Sequence, residues 1–345
     1  MMVPAPLRLR LDGAALIENW RTLARMSGSA ACGAAVKADG YGLGAHGVAQ
    51  RLAAAGCRDF FVATWAEAEA LADLKLPVSV LHGVRAEDME VVRSGMARPV
   101  LNTPLQIQRW RDSGGGPCDV MVDTGMNRLG VSPAQVEQGL LDGLTIETLI
   151  SHLACAEDDT SMNAAQRKRF AALTGRTGAR RMSLCNSAGI ALGTEYHFDL
   201  TRPGLSLYGG SLVPVLAGSI RQVVFPQTQI LQRRRVPAGE TVGYNATWTA
   251  PADTEVAVCN LGYADGYFRG FSGTGAGLHD GRSLPVLGRV SMDLIALNVE
   301  VAPDLAEGDW IDIAFTLPQA AQTSGMSQYE LLTGLGSRFS RVWTD

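Results

Sequence analysis

No stretch of the 345 residues approaches the ~20 consecutive apolar side chains that a membrane-crossing helix needs. The opening MMVPAPLRLRLDG lacks the apolar run of a secretory leader, so the expected location is the cytoplasm. There is no basic surplus: the net charge of -4 and pI of about 5.8 exclude the broad phosphate-facing surface of a nucleic-acid binder. The densest basic run, QRRRV at 232–236, reads as a solvated face. No two cysteines form a CxxC pair. Cys32, Cys57, Cys118, Cys155, Cys185 and Cys259 are scattered, mostly in apolar settings such as VAVCNLG, and read as reduced core thiols. None of the five histidines stands at a metal-ligand spacing from another His or Cys, and no metal site is expected. Internal repeats and low-complexity segments are also missing. What remains is an ordinary globular composition, 46% hydrophobic and 19% charged, in a chain long enough for a barrel plus an appendage.

From residue 9 to about 215, apolar strand-like stretches alternate with helical periodicity. The strand candidates are ACGAAVKAD, DFFVATW, VSVLHG, ARPVLN, CDVMVDTG, LTIETLISHL, RRMSLCNS and FDLTRPGLSLYG. Between them, segments such as AHGVAQRLAAAG and NAAQRKRFAALTGR carry helical spacing, and several end in glycine. Strands alternating with helices imply parallel βαβ units, and eight of them predict an α/β fold, a (β/α)8 TIM-like barrel, over 9–220. After 220 the texture changes to alternating strands with Pro and Gly turns. This predicts a mainly β C-terminal domain over 221–345, closed by one amphipathic helix near SQYELLTGLG, with residues 1–8 associating with it.

In such barrels, chemistry sits at the C-terminal ends of the strands. Lys37, Arg128, His152, Asn186 with Ser187, and Arg202 all fall at or just beyond predicted strand ends. Two readings of Lys37 stand: a side chain reaching solvent from a strand end, or an amine desolvated by the strand behind it, whose lowered pKa lets it condense with a carbonyl. Periodicity does not separate them. RPGLSLYGG at 202–210 offers bare amides at Gly204 and Leu205 with no acidic neighbour, which suits a phosphate, and Ser187 adds a hydroxyl.

AVKADGYGLGAHG, VDTGMNRLGV, CNSAG, FDLTRPGLSLYG, VGYNATW, LGYADGYFRG and GRVSMD occur in that order. Together they resemble the pyridoxal-phosphate-dependent alanine racemase family across nearly the whole chain. The resemblance implies a homodimer whose active sites are each completed by the partner's β domain. It implies interconversion of L- and D-alanine, with D-alanine supplied for peptidoglycan. Lys37 would hold the pyridoxal 5'-phosphate covalently and act as one catalytic base, with Tyr244 as the other. Tyr41, Ser187, Gly204 and Leu205 would surround the phosphate, and Arg202 would face the pyridine nitrogen. His152 would link Arg202 to Tyr244, the pair supplying a cation that favours the phenolate. Arg128 and the backbone of Met292 would hold the substrate carboxylate. Tyr263, Arg269 and Arg289 would line the entrance.

Two departures from the family pattern stand out. Met121 occupies the place of a modified lysine that buttresses the carboxylate-binding arginine in many members, leaving Asn127, a water or an anion to orient Arg128. Ser337 replaces a tyrosine that reaches the phosphate in some members. A broad-specificity or serine racemase is the alternative within this chemistry, since a small pocket discriminates weakly by one hydroxyl. A non-catalytic pyridoxal-phosphate carrier would resemble only the barrel half.

Overall fold

Short, fully buried runs such as Phe60–Val62 and Val78–Val80 have no polar face to show to water, as parallel strands covered by helices require. In the computed structural model, which describes residues 5–344, they belong to a unit running from Leu16 to Arg221. Ala34–Ala35, Phe60–Val62, Val78–Val80, Arg98–Leu101, Pro117–Met121, Thr145–Ile150 and Arg181–Ser183 pair in that order as one parallel sheet. The eighth strand, Leu200–Thr201, pairs in parallel with Ala31–Cys32, one residue upstream of the first. Gly33 and Ala35 donate N–H groups to the Thr201 and Pro203 carbonyls, both at 2.9 Å. On the other flank Asp199 and Arg202 donate to Met182 and Cys185 at 3.0 and 2.9 Å. The sheet therefore closes on itself through eight parallel strands, as the alternation predicts.

Hydroxyl N-caps start the helices that follow several strands. Thr64, Thr103, Ser132 and Thr160 each accept an N–H bond from the first helical turn, which anchors the loops at the strand C-terminal ends. The opposite end is held by charge. Arg181 bonds both Asp59 oxygens at 2.6 and 3.1 Å, and the buried Asp119 takes the Ser79 hydroxyl at 2.6 Å. Some predicted elements are shorter than their patterns: FDLTRPGLSLYG yields only Leu200–Thr201 before a 3-10 turn at Leu205–Tyr208, because Pro203 has no N–H to continue the ladder.

The second unit combines the chain up to Ala15 with that from Gln222 onward. Its 13-residue strand Val224–Val236 is shared. Residues 224–228 pair antiparallel with Leu7–Asp12, and 230–236 pair with Thr254–Cys259. From there the order runs through Ile295–Asn298, Arg282–Leu287, Ala276–His279 and Trp310–Ile313 back to Val224–Val236, closing a small antiparallel barrel. Leu7–Asp12 also runs parallel to Ser340–Thr344. Its sequence LRLRLD alternates with period two: Leu7, Leu9 and Leu11 are fully buried, while Arg8 and Arg10 lie over the Trp310 and Phe225 rings. Of residues 1–8, expected to associate with the β domain, 1–4 lie outside the described residues. Near the C-terminus there are two helices, Leu317–Ser324 and Gln328–Thr333, where the sequence predicts one. The missed one, LPQAAQTS, has too few apolar side chains to show a stripe.

Leu9→Ala opens a cavity where nothing can collapse, and is expected to cost about 2–5 kcal/mol in denaturant unfolding. A cost under ~0.5 kcal/mol would mean that this strand is dispensable to the β unit.

Candidate functional site

Directly after the first barrel strand the backbone turns the wrong way. Ala38, Asp39, Gly40 and Tyr41 have φ values of 51, 51, 62 and 55°, a full left-handed turn. For the three residues with a Cβ this costs roughly 1–2 kcal/mol each. The turn is held from outside. Glu67 accepts the Ala38 N–H at 2.8 Å while also taking the Ala63 N–H at 2.6 Å, and the Asp39 carboxylate takes the Ala45 N–H at 2.8 Å. Tyr41 stacks on Tyr208 with ring centroids 4.7 Å apart. Lys37 enters this turn half-buried, and its amine has no hydrogen-bond or ion-pair partner among the described residues. Desolvation, then the Arg128 charge, lower its pKa; Arg202 adds to this, and Glu67 opposes it. Of the two readings of Lys37, half-burial and the nearby cations favour the desolvated amine.

Beside it is an anion cup. Ser187, first residue of a short helix capped by Asn186, accepts N–H bonds from Gly204 at 3.0 Å and Ser206 at 3.3 Å. The Gly204 amide is therefore not bare, and Ser206 joins a set in which sequence reading saw only Gly204 and Leu205. A Cβ on Gly204 would lie 2.2 Å from the Tyr41 hydroxyl, so only glycine lets the tyrosine approach this loop. Tyr41, Ser187, Gly204 and Leu205 are thus brought together as expected.

Arg202 is buried and spends its hydrogen bonds on the barrel. It donates to the Ser151 carbonyl at 2.7 Å, to the Ser183 hydroxyl, and to His152 Nδ1 at 3.4 Å. Burial lowers its pKa to about 10, still cationic near neutrality. Because that guanidinium is always a donor, His152 Nδ1 must accept, leaving its proton on Nε2. Desolvation, followed by the charges of Arg202, Arg128 and Lys37, pushes the His152 pKa down to about 3. Of the pair expected to supply a cation, Arg202 keeps its charge, while His152 is a neutral imidazole offering an Nε2–H. Burial first, and then the neighbouring charges, decide this, and neither is visible in one dimension.

Arg128 is exposed, on a loop organised by Asp123, a residue that sequence reading passed over. The Asp123 carboxylate takes the Gly125 N–H at 2.8 Å and the Arg128 N–H at 2.9 Å. Burial opposes its ionisation, but N–H groups of residues 125–128 outweigh it and hold the carboxyl below its ordinary pKa. Asn127 contributes a left-handed φ of 56° to the same loop. Met121 is buried in the strand below.

In the β unit, Tyr244 is 67% exposed, on a turn where Asn245 and Ala246 are both left-handed. Tyr244 and Arg289 line a largely apolar cavity of about 490 Å³ with Val242, Val258, Leu287 and Ile295. Met292 is exposed; its carbonyl accepts the Ala264 N–H at 3.0 Å, and its own N–H has no partner among the described residues. A Cβ on Gly262 would collide with the Met292 carbonyl at 2.2 Å. Arg269 stands over the Tyr263 ring, 5.2 Å from its centroid. Sequence reading missed what holds these loops. The fully buried Asp265 binds Arg338 through Nε at 2.6 Å and Nη2 at 2.8 Å, and Arg338 Nη1 reaches Asp293 at 2.6 Å. The spacing GYAD, with Asp265 accepting the Gly262 N–H, was a usable capping signal; Arg338 offered none. His279, Asp280 and Asp304 present ligand atoms within 4.8 Å of one another, but Arg282 already pairs with both aspartates. No helix among the described residues is long and apolar enough to cross a membrane.

A family model described as the N-terminal domain of alanine racemase matches residues 11–212, and one described as its C-terminal domain matches 223–343. The chain is 42% identical to the alanine racemase of Acidiphilium cryptum, covering 97% of this chain and 98% of that one. It is 44% identical to that of Rhodospirillum rubrum, covering 96% and 94%. A crystal structure of alanine racemase from Bartonella henselae with covalently bound pyridoxal phosphate superposes with a TM-score of 0.90 at 33% identity, covering 99% of this chain and all of that one.

The sequence holds three lysines: Lys37, Lys75 and Lys168. Since a lowered pKa leaves more neutral amine near pH 8, reductive labelling with a small aldehyde is expected to modify Lys37 first, slowing as pH falls through its pKa. Equal labelling of all three, read by peptide mass spectrometry, would remove the desolvated amine.

Proposed function

The chain belongs to the alanine racemase family, and from that premise we propose how its own residues divide the labour of racemisation. The protein is a pyridoxal-phosphate-dependent isomerase that interconverts L- and D-alanine. The observation that carries the assignment of its site is the unpartnered, desolvated amine of Lys37 beside the Ser187, Gly204 and Ser206 cup. The residues present fit the cofactor: the amine suits its aldehyde, and the Ser187 hydroxyl with the Leu205 N–H, which has no partner among the described residues, suits its phosphate, with no carboxylate among them. When bound, the cofactor withdraws electron density from the substrate Cα, which makes its proton removable.

The chain supplies the rest. Lys37, which would hold the cofactor, would serve, once substrate has displaced its amine, as the acid/base group on the face of Cα that bears the proton in D-alanine. Tyr244 of the partner subunit serves the opposite face, since racemisation needs an acid/base group on each side. A free phenol has a pKa of ~10, too high for an efficient base near neutrality. The Nε2–H of neutral His152, backed by Arg202, stabilises the phenolate by hydrogen bonding rather than by a full charge. Arg202 also donates to the cofactor ring nitrogen without protonating it, because a guanidinium does not give up its proton. Arg128 and the free Met292 N–H hold the carboxylate, and Tyr263, Arg269 and Arg289 shape the entrance. The exposure of Tyr244 and Met292, two groups expected to meet substrate, supports completion of each site by a partner in a homodimer. A cytoplasmic enzyme supplying D-alanine for peptidoglycan is the setting consistent with these properties.

Chiral chromatography after incubating a panel of L-amino acids with the cofactor-loaded enzyme is expected to show D-alanine as the main product; faster turnover of serine would select the broader reading. Lys37→Ala is expected to remove the visible absorbance of the bound cofactor and all racemisation. Tyr244→Phe is expected to slow exchange of the L-alanine α-proton about 10²–10⁴-fold, with D-alanine exchange less affected. Mixing these two variants should restore activity if sites are shared between subunits. No recovery in verified heterodimers would place both bases on one chain.

A further inference from the structure

The helix Ser161–Ala171 turns an unusual face inward. Its buried positions are Asn163, Gln166 and Phe170, so two of three inward side chains are carboxamides. Burying an amide is unfavourable unless its hydrogen bonds are met. Gln166 is 0% exposed, and both ends of its amide are used. Oε1 accepts the Ala154 N–H at 2.9 Å, while Nε2 donates to the His152 carbonyl at 2.9 Å and to the Thr124 hydroxyl at 3.4 Å. The Thr124 hydroxyl is also 2.8 Å from that of Ser151, and Arg169, one turn along the helix, donates to the Thr124 carbonyl at 2.9 Å.

These contacts join two loops that leave neighbouring strands. One begins at Val122 and carries Arg128; the other follows Thr145–Ile150 and carries His152. The Thr124 end passes into the loop that the Asp123 carboxylate organises as far as the Arg128 N–H. The Ser151–His152 end is gripped from the other side by Arg202. We infer that Gln166, with Thr124, is a positioning residue that holds the Arg128 loop in register with His152, so that the carboxylate-binding cation and the imidazole keep a constant separation. The inference rests on the roles proposed above for Arg128 and His152. Neither Gln166 nor Thr124 bonds the anion cup, so the bridge acts on substrate and proton transfer, not on cofactor retention.

The test uses cofactor-loaded Gln166→Leu and the milder isostere Thr124→Val. Both are expected to keep the wild-type cofactor absorbance and occupancy. Both should raise KM for both alanine isomers and lower kcat/KM by about ten- to a hundredfold, the scale of a small misplacement in an active site. Loss of fold alone would lower the active fraction and leave KM unchanged. Because the two side chains act through one contact, their combined effect should fall short of the sum. Amide hydrogen exchange at Gly125–Arg128 and at Ala154 should speed up in the loaded Gln166→Leu protein. Wild-type KM at full occupancy, additive effects, or unchanged exchange at these amides would each overturn the bridge. If Arg128→Ala itself leaves KM unchanged, the carboxylate role of Arg128 fails, and the exchange measurement still decides whether Gln166 couples the loops.

Discussion

Arg202 is a charge that the site cannot lose, and most of the local chemistry adjusts to it. Its hydrogen bonds go to Ser151, Ser183 and His152, so it is held by the barrel whether or not a ligand is present. A guanidinium in that place dictates that His152 accept on Nδ1, and with Arg128 it adds to the desolvation that depresses the pKa of both His152 and Lys37. The outcome is an enclosure with two permanent cations, two basic groups held toward neutrality, and Glu67 as the carboxylate felt by Lys37. Such an enclosure favours ligands that bring their own negative charge, a phosphate at one end and an amino-acid carboxylate at the other. It also disfavours added positive charge on the Lys37 amine and the His152 ring.

Rigidity around this charge is supplied by groups outside the chemistry. Asp123 gathers the amides of the Arg128 loop, and Gln166 ties that loop to His152. In the β unit Arg338 pins Asp265 and Asp293, fixing the loops that bear Tyr263 and Met292. Each support is a polar side chain whose own bonds are satisfied. Losing Gln166, or the Arg338 contact to the buried Asp265, would leave a buried donor or acceptor unpaired, at a cost of about 1–3 kcal/mol. The molecule thus places the strength of its scaffold one layer behind the groups that meet the ligand.

The barrel was legible because parallel strands buried on both faces read as apolar runs, and the helices between them end in glycine. The motif order also placed Lys37, Tyr41, Ser187, Arg202 and Gly204 at the ends of those strands, where the structure has them. The supports were not legible. Gln166 lies in a segment read as a helix by its spacing, and a carboxamide on the inward face looks like any solvated glutamine until its partners from residues 124, 152 and 154 are known. In the sequence Asp123 reads only as part of the strand candidate CDVMVDTG. His152 could be placed but not charged, because its protonation depends on burial first and then on Arg202, 50 residues away in sequence. The boundary expected between residues 8 and 9 cuts LRLRLD in two, yet the whole strand belongs to the β unit, with partners in Val224–Val236 and Ser340–Thr344, more than 200 residues downstream.

The left-handed turn after Lys37 bears on when reactivity first arises during folding. Three L-residues in mirror-image helical geometry are not stable in an isolated segment, and here they are retained by Glu67, about 30 residues on, and by Tyr208, about 170 residues on. The turn can persist only after those distant parts have docked. A nascent or partly folded chain therefore displays Lys37 as an ordinary protonated, solvated lysine, slow toward aldehydes. The reactive amine is a property of the folded barrel and not of the Lys37 segment alone.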